Sequence, residues 1–306
     1  MRKKVLISTS TFAEFDRTPL ELLERERFSY VLNPHRRKLT GTEVVDLGRD
    51  AVGIVAGTEK LTGEVFEQLP SLEVVSRCGT GMDNVDMESA RKRNIRIYNT
   101  PDGPTRAVAE LTVAVILDLL RKVSFMDRRL RQGEWKKMMG SLLFGKKIGI
   151  IGFGRIGQAV SELLSAFGTE LAYCDVVSRS CRIDCGKKSL EQMLKWADLV
   201  TLHLAPPPGA DAIITSREIS LMKKGAWLVN FSRGGAVDEK ALYEALKEGD
   251  LAGAALDVFQ NEPYRGPLAS LDNVVLTPHA GSYAREARVR MEIQAVENLL
   301  AGFKEK

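Results

Sequence analysis

A chain of 306 residues is long enough for two domains, and its 44% hydrophobic and 27% charged content is ordinary for a folded protein in water. With 44 basic against 40 acidic residues the net charge is only +4, which implies no nucleic-acid partner but suits a small anionic ligand. The most apolar run, 111–120, is short and carries Asp118, and four cysteines are too few for a disulfide scaffold, so no membrane association, reduced thiols and a cytoplasmic location are expected.

In chain order, KVLIST (4–9), AVGIVAG (51–57), LEVVSRCG (72–79) and IRIYNTP (95–101) are short runs rich in β-branched residues. Amphipathic stretches lie between them at 61–69 and 85–94. One long helix is predicted over 105–133, opened by Pro104 and closed by Gly133, with Trp135 as a packing residue beyond it. A second series follows, with strands at 146–152, 170–175, 198–205, 226–232, 253–259 and 273–278. Helices including 155–168 and 238–249 fill the gaps, and a last helix, 285–303, is placed to return to the first domain. The alternation predicts an α/β chain of two parallel-sheet domains, Rossmann-like or flavodoxin-like. Residues 101–282 form one domain, inserted between the two parts of the other, 1–100 and 283–306. Cys181 and Cys185, in CRIDC, have no nearby histidine, so no metal site is expected.

The second domain opens with GFGRIG, residues 152–157. G-x-G-x-x-G alone is a weak signal. Here a strand precedes it, a helix follows, and Asp175 ends the next strand, which is the context of a dinucleotide-binding turn. Gly152 permits the tight turn, Gly154 lets a pyrophosphate approach the backbone, and Gly157 lets helix and strand pack closely. Asp175 would accept hydrogen bonds from ribose hydroxyls and repel a 2′-phosphate, which favours NAD over NADP, although Arg179 stands close enough in sequence to soften that repulsion.

Three further residues fall after strands. Arg233 is in NFSRGG, Glu262 in DVFQNEP and His279 in TPHAG. Each alone would read as a surface ion-pair residue or a structural histidine. Their order after a cofactor turn changes that reading, because ligands of open parallel sheets bind beyond the carboxyl ends of the strands.

NFSRGGAVDEKAL, ALDVFQNEP, NVVLTPHAG and GFGRIG, with RCGTGMDNVD (77–86) and NTPDGPTRAVAELT (99–112), resemble the D-isomer-specific 2-hydroxyacid dehydrogenases over nearly the whole chain. The likeness is greatest to the phosphoglycerate dehydrogenase branch. It implies NAD-dependent interconversion of a D-2-hydroxy acid and its 2-keto acid, with 3-phosphoglycerate as the favoured substrate. Glyoxylate or hydroxypyruvate reduction is the alternative, and a non-catalytic NAD-sensing protein like the corepressors of this fold is an alternative of another class. Under the resemblance, 101–282 is the NAD-binding domain and the remainder the substrate domain.

The implied catalytic residues are Arg233, Glu262 and His279. Chemistry agrees: a planar guanidinium suits the substrate carboxylate and carbonyl, an imidazole suits proton transfer, and a carboxylate would orient that imidazole and favour its charged form. The implied cofactor contacts are Thr80, Gly152, Gly154, Arg155, Ile156, Gly157, Asp175, His203, Ser232 and Asp257, the last through the nicotinamide amide. Substrate contacts are implied for Arg77, Cys78 and Gly79, the glycine-rich loop offering backbone N–H groups to a carboxylate. A homodimer through 105–133 is implied as well.

Three positions depart from the family pattern. Ala205 and Pro207 replace a common proline and threonine, and Pro104 replaces an asparagine frequent in phosphoglycerate dehydrogenases. The C-terminal regulatory domains of many such enzymes have no counterpart here, so serine feedback through one is not expected.

Overall fold

The computed structural model describes residues 2–205 and 209–305; Pro207 lies outside them. The elements begin with β1 (Lys4–Ile7), α1 (Thr18–Arg25), β2 (Ser29–Leu32), α2 (Gly41–Gly48), β3 (Ala51–Ala56), α3 (Gly63–Glu67), β4 (Val74–Arg77), α4 (Met87–Lys92) and β5 (Arg96–Asn99). There follow α5 (Thr105–Arg121), α6 (Val123–Arg131), β6 (Lys147–Ile151), α7 (Arg155–Ser165), β7 (Glu170–Cys174), β8 (Gly186–Lys187), α8 (Leu190–Trp196) and β9 (Leu199–Leu202). The series ends with α9 (Ser216–Leu221), β10 (Ala226–Asn230), α10 (Glu239–Glu248), β11 (Leu251–Leu256), β12 (Val274–Leu276) and α11 (Arg285–Lys304). The chain divides into two compact units: Met1–Pro104 with Tyr283–Lys306, and Thr105–Ser282.

The first unit holds a parallel sheet of order β2-β1-β3-β4-β5. Its central strands β1 and β3 are largely buried and apolar, as a parallel sheet covered on both sides requires. Leu6, Ile54 and Val75 meet Val44, Val65 and Phe66 on one face. Val5, Ile7, Val55 and Val74 meet Met291, Val296 and Leu299 of α11 on the other. Each fully buried aliphatic contributes roughly 1.5–3 kcal/mol, so packing is what holds the C-terminal helix against this sheet.

The second unit holds a parallel sheet of order β12-β11-β10-β9-β6-β7-β8. From β6 the chain winds first toward β7 and β8, then returns to β9 on the other side. The strand order therefore reverses between β6 and β9, and a crevice opens beyond their carboxyl ends.

Two expectations need correction. The helix predicted over 105–133 is two helices. Lys122 takes a left-handed backbone, φ 55°, and Asp118 Oδ1 accepts from Ser124 N at 2.7 Å, satisfying an amide at the start of α6. Nine residues of α5 are buried and none of α6, so the helix breaks where its contact with the core ends. Trp135 does not pack: it is 84% exposed. The short elements α1, β2, α2, β8, α8 and α9 have no counterpart among the predicted ones; three of these helices begin with a side-chain cap, at Thr40, Ser189 and Thr215.

Candidate active site

The turn after β6 has the backbone its glycines permit. Gly152 has φ 88°, and a Cβ there would stand 2.7 Å from the carbonyl of His203 and the nitrogen of Leu204, just past β9. The turn thus lies at the β6–β9 reversal. A side chain at Gly157 would collide with the Gly152 carbonyl. One at Gly154, the N-cap of α7, would meet no neighbour and would only mask the first N–H groups of the helix, where Arg155 and Ile156 begin.

Asp175 follows β7. Its carboxylate accepts from Phe153 N at 2.8 Å and from Val177 N at 2.9 Å. Burial pushes the carboxyl up, but those two N–H groups and the Arg179 and Lys187 charges outweigh it and hold it below its ordinary value. A charged oxygen pair of fixed orientation is what a ribose diol needs, so these residues fit a dinucleotide.

His203 points inward. It is buried, its Nε2 lies 2.9 Å from Thr201 Oγ1, and burial pushes the imidazole down to about 3, so the ring is neutral. Below about pH 6.5 the unfolded chain binds a proton here that the folded chain refuses. Stability from this group is therefore complete above that pH and is lost as pH falls toward about 3. A tenfold difference in proton affinity is about 1.4 kcal/mol, so the loss is on the order of several kcal/mol. His203→Gln should flatten the acid side of the melting temperature against pH; an unchanged acid slope would remove His203 from the account.

The loops after β10, β11 and β12, which are neighbouring strands, carry Arg233, Glu262 and His279. Glu262 Oε2 and Oε1 lie 2.9 and 3.1 Å from His279 Nδ1, and Oε1 also accepts from Phe259 N at 3.1 Å. Nδ1 donates to the carboxylate, which leaves Nε2 of a half-exposed ring for a substrate. Arg233 Nη1 donates to Ser232 O at 2.8 Å, and Asn230 Nδ2 donates to Arg233 O at 3.0 Å. The buried Ser232 donates through both N and Oγ to Asn230 Oδ1, at 3.0 and 2.6 Å. A Cβ on Gly234 would overlap the Phe259 carbonyl, so the Arg233 loop lies directly on the chain that carries Glu262.

Asp257 is only 2% exposed, and its carboxylate clamps the histidine turn. It accepts from Thr277 Oγ1 at 2.6 Å, Ala280 N at 2.7 Å and Gly281 N at 2.8 Å, while its carbonyl accepts from His279 N at 2.9 Å. Burial raises its carboxyl above the ordinary value against the opposing pull of those donors and of His279. The resemblance offered a nicotinamide contact; the geometry gives both oxygens to the turn. Thr277 was missed in the sequence, where a threonine two residues before a histidine carries no distinguishing signal.

Within the first unit, Arg77 ends β4 and Cys78, Gly79 and Thr80 follow. Cys78 N donates to Ala56 O at 2.8 Å and Gly79 N to the buried Thr100 Oγ1 at 2.7 Å. The N–H groups of Thr80 and Gly81, further along the loop, find no partner among the described residues. Gly79 has φ 145°, and the space its Cβ would fill is taken by the Arg77 guanidinium. Burial pushes the Cys78 thiol up to about 11, so it is protonated at neutral pH.

A doubly wound sheet with a bare glycine turn and a charged aspartate at its reversal is the framework of a dinucleotide-dependent oxidoreductase. The family model for the NAD-binding domain of D-isomer specific 2-hydroxyacid dehydrogenases matches residues 113–281. The D-3-phosphoglycerate dehydrogenase of Methanocaldococcus jannaschii is 42% identical over 258 residues, 82% of this chain and 49% of that protein, so the chain spans about half its length. The glyoxylate reductase of Pyrococcus furiosus is 38% identical over 315 residues, covering 98% of this chain and 92% of that protein. A solved structure from Thermus thermophilus matches with a TM-score of 0.89 at 36% identity, over 98% of this chain and 97% of that one. The chain belongs to the D-isomer specific 2-hydroxyacid dehydrogenase family, and its cofactor is NAD. No helix among the described residues is long and apolar enough to cross a membrane.

Proposed function

We propose that the protein interconverts a D-2-hydroxy acid and its 2-keto acid, and that the Glu262–His279 pair moves the proton. That pair is the observation that carries the reading. Bound at the β6–β9 crevice, reduced NAD supplies the hydride. Arg233 binds the substrate carboxylate and polarises the C2 carbonyl. The protonated His279 gives its Nε2 proton to the carbonyl oxygen, while Nδ1–H stays on Glu262 and keeps the ring oriented. In the oxidative direction Nε2 takes the hydroxyl proton. The Thr80 and Gly81 N–H groups are suited to an anionic oxygen.

For the substrate we favour 3-phosphoglycerate, because the Arg77 guanidinium is seated over the glycine of this loop and can meet a distal phosphate. Reduction of glyoxylate or hydroxypyruvate is the second reading, supported by the near full-length likeness to the Pyrococcus glyoxylate reductase. A panel of 2-hydroxy and 2-keto acids followed at the NADH absorbance band separates them. Under the first reading Arg77→Ala raises KM for 3-phosphoglycerate roughly 10- to 100-fold, the effect of one charged hydrogen bond, and leaves glyoxylate unaffected. A wild-type preference for glyoxylate or hydroxypyruvate favours the second. Turnover of none leaves an NAD-sensing protein without catalysis.

We also propose a homodimer acting in the cytoplasm, in keeping with four free thiols. Val123 and Leu130 of α6, with Trp135, Met139, Leu142 and Phe144 beyond it, are large apolar side chains left exposed within one stretch of chain, which a second copy would cover. Sedimentation should give a dimer, and Trp135→Glu with Met139→Glu should give a monomer.

A further inference from the structure

Between Asp175 and β8 runs a loop, 176–185, with two cysteines that the proposed reaction does not use. It carries Cys181 and Cys185, two of the free cysteines. Cys181 is partly exposed, and its Sγ lies 3.4 Å from Cys185 O and 3.8 Å from Arg179 O. Cys185 is buried in the core that also holds Tyr173 and Phe153. Burial first, and then contact with the Cys181 thiol, push the Cys185 thiol up to about 12.

The loop is tied to the cofactor turn. Arg179 N donates to Tyr173 Oη, and that hydroxyl donates to Arg179 O, both at 3.1 Å. The Tyr173 ring stacks on Phe153 with centroids 4.3 Å apart, and Phe153 N is one of the two groups that hold the Asp175 carboxylate. Contacts therefore run without a gap from Cys181 through Arg179, Tyr173 and Phe153 to Asp175.

We propose that Cys181 and Cys185 are a redox modification site, oxidised by a hydroperoxide to a disulfide that weakens NAD binding. The more accessible Cys181 sulfur attacks the peroxide: an S–O bond forms, the O–O bond breaks, and the leaving oxygen takes a proton to become water. The Cys185 sulfur then attacks the sulfenic acid: an S–S bond forms, the S–O bond breaks, and the Cys185 proton leaves with the oxygen as a second water. Two thiols and one hydrogen peroxide become one disulfide and two waters. Bonding the sulfurs draws Cys181 off the Arg179 carbonyl and disturbs both Arg179 contacts with Tyr173. Cys181 is partly exposed, so a thiol can reach the disulfide and reverse the change by exchange.

The proposal rests on Asp175 serving the cofactor, and a fluorescence titration of reduced protein with NADH tests that first. Failure of the reduced protein to bind NADH would overturn the cofactor assignment and leave the thiol chemistry to be read by mass. The full chain is then treated with hydrogen peroxide and its intact mass measured. We expect loss of two hydrogens, an NADH dissociation constant raised roughly tenfold, as is usual for coupling between two sites, and recovery with dithiothreitol. Cys181→Ser, at the partly exposed position, and Cys185→Ser should bind NADH like reduced wild type and keep that affinity after peroxide. Gain of oxygen without loss of hydrogens, a disulfide with unchanged or tighter NADH binding, or a Cys185→Ser variant weakened as much as wild type would each overturn the proposal.

Discussion

His279→Ala is expected to lower kcat by roughly a hundred- to ten-thousandfold, the range of a positioned acid or base, while NADH binding is kept. The substitution removes Nε2, the only ring nitrogen not already bonded to Glu262. It leaves the loop intact, because Glu262 Oε1 keeps the Phe259 N–H and Asp257 keeps Thr277, Ala280 and Gly281. The ring is also half-exposed, so little apolar burial is lost and the melting temperature should hardly move. Steady-state rates with 2-keto acid and a fluorescence titration with NADH separate the two effects. Turnover equal to wild type would place the proton donor elsewhere. Glu262→Gln should be milder, because the amide oxygen can still accept from Nδ1 and keep the ring oriented.

The site was legible where chemistry constrains short sequence patterns. GFGRIG could be read because a tight turn, a bare helix start and a close helix–strand approach each exclude side chains, and Gly152 and Gly157 have backbone where a Cβ would stand. The place of Asp175 could be read because the strand after such a turn ends beside it in this fold, and its carboxylate does accept from Phe153 N. What escaped depends on which donor meets which acceptor in three dimensions. Nothing in CGTG tells that Gly79 N–H is taken by Thr100, which leaves the unpartnered amides further along the loop, on Thr80 and Gly81. The break at Lys122 escaped because apolar spacing continues into Val123 and Leu130; only the Asp118–Ser124 bond and the missing core on α6 reveal it. Trp135 misled for the same reason, since an indole suits a core and an exposed arm equally well.

Asp257→Ala should both destabilise the protein and slow it. Three donors converge on this buried carboxylate, and each left without a partner costs roughly 1–3 kcal/mol, a large share of the ~5–15 kcal/mol that holds a domain folded. Removal of the buried charge offsets part of that, because burial already disfavours the ionised carboxyl. The turn that relaxes is the one that fixes His279 at φ 52°, a conformation a non-glycine residue does not keep without support. Under the proposed roles a misplaced Nε2 lowers kcat while Arg233 keeps its hold on the substrate carboxylate, so KM should change less. Asp257→Asn separates charge from shape: its carbonyl oxygen can serve Thr277 and Ala280, but its amide presents a donor to the Gly281 N–H. The pH dependence has a definite sign. A carboxyl raised in the fold contributes stability that is complete below its unfolded pKa and is lost as pH rises through its folded value, and Asn removes that slope. Thermal melts across pH together with kcat and KM test all three consequences. A variant Asp257→Ala that melts and turns over like wild type would mean that the three hydrogen bonds do not hold His279 in place.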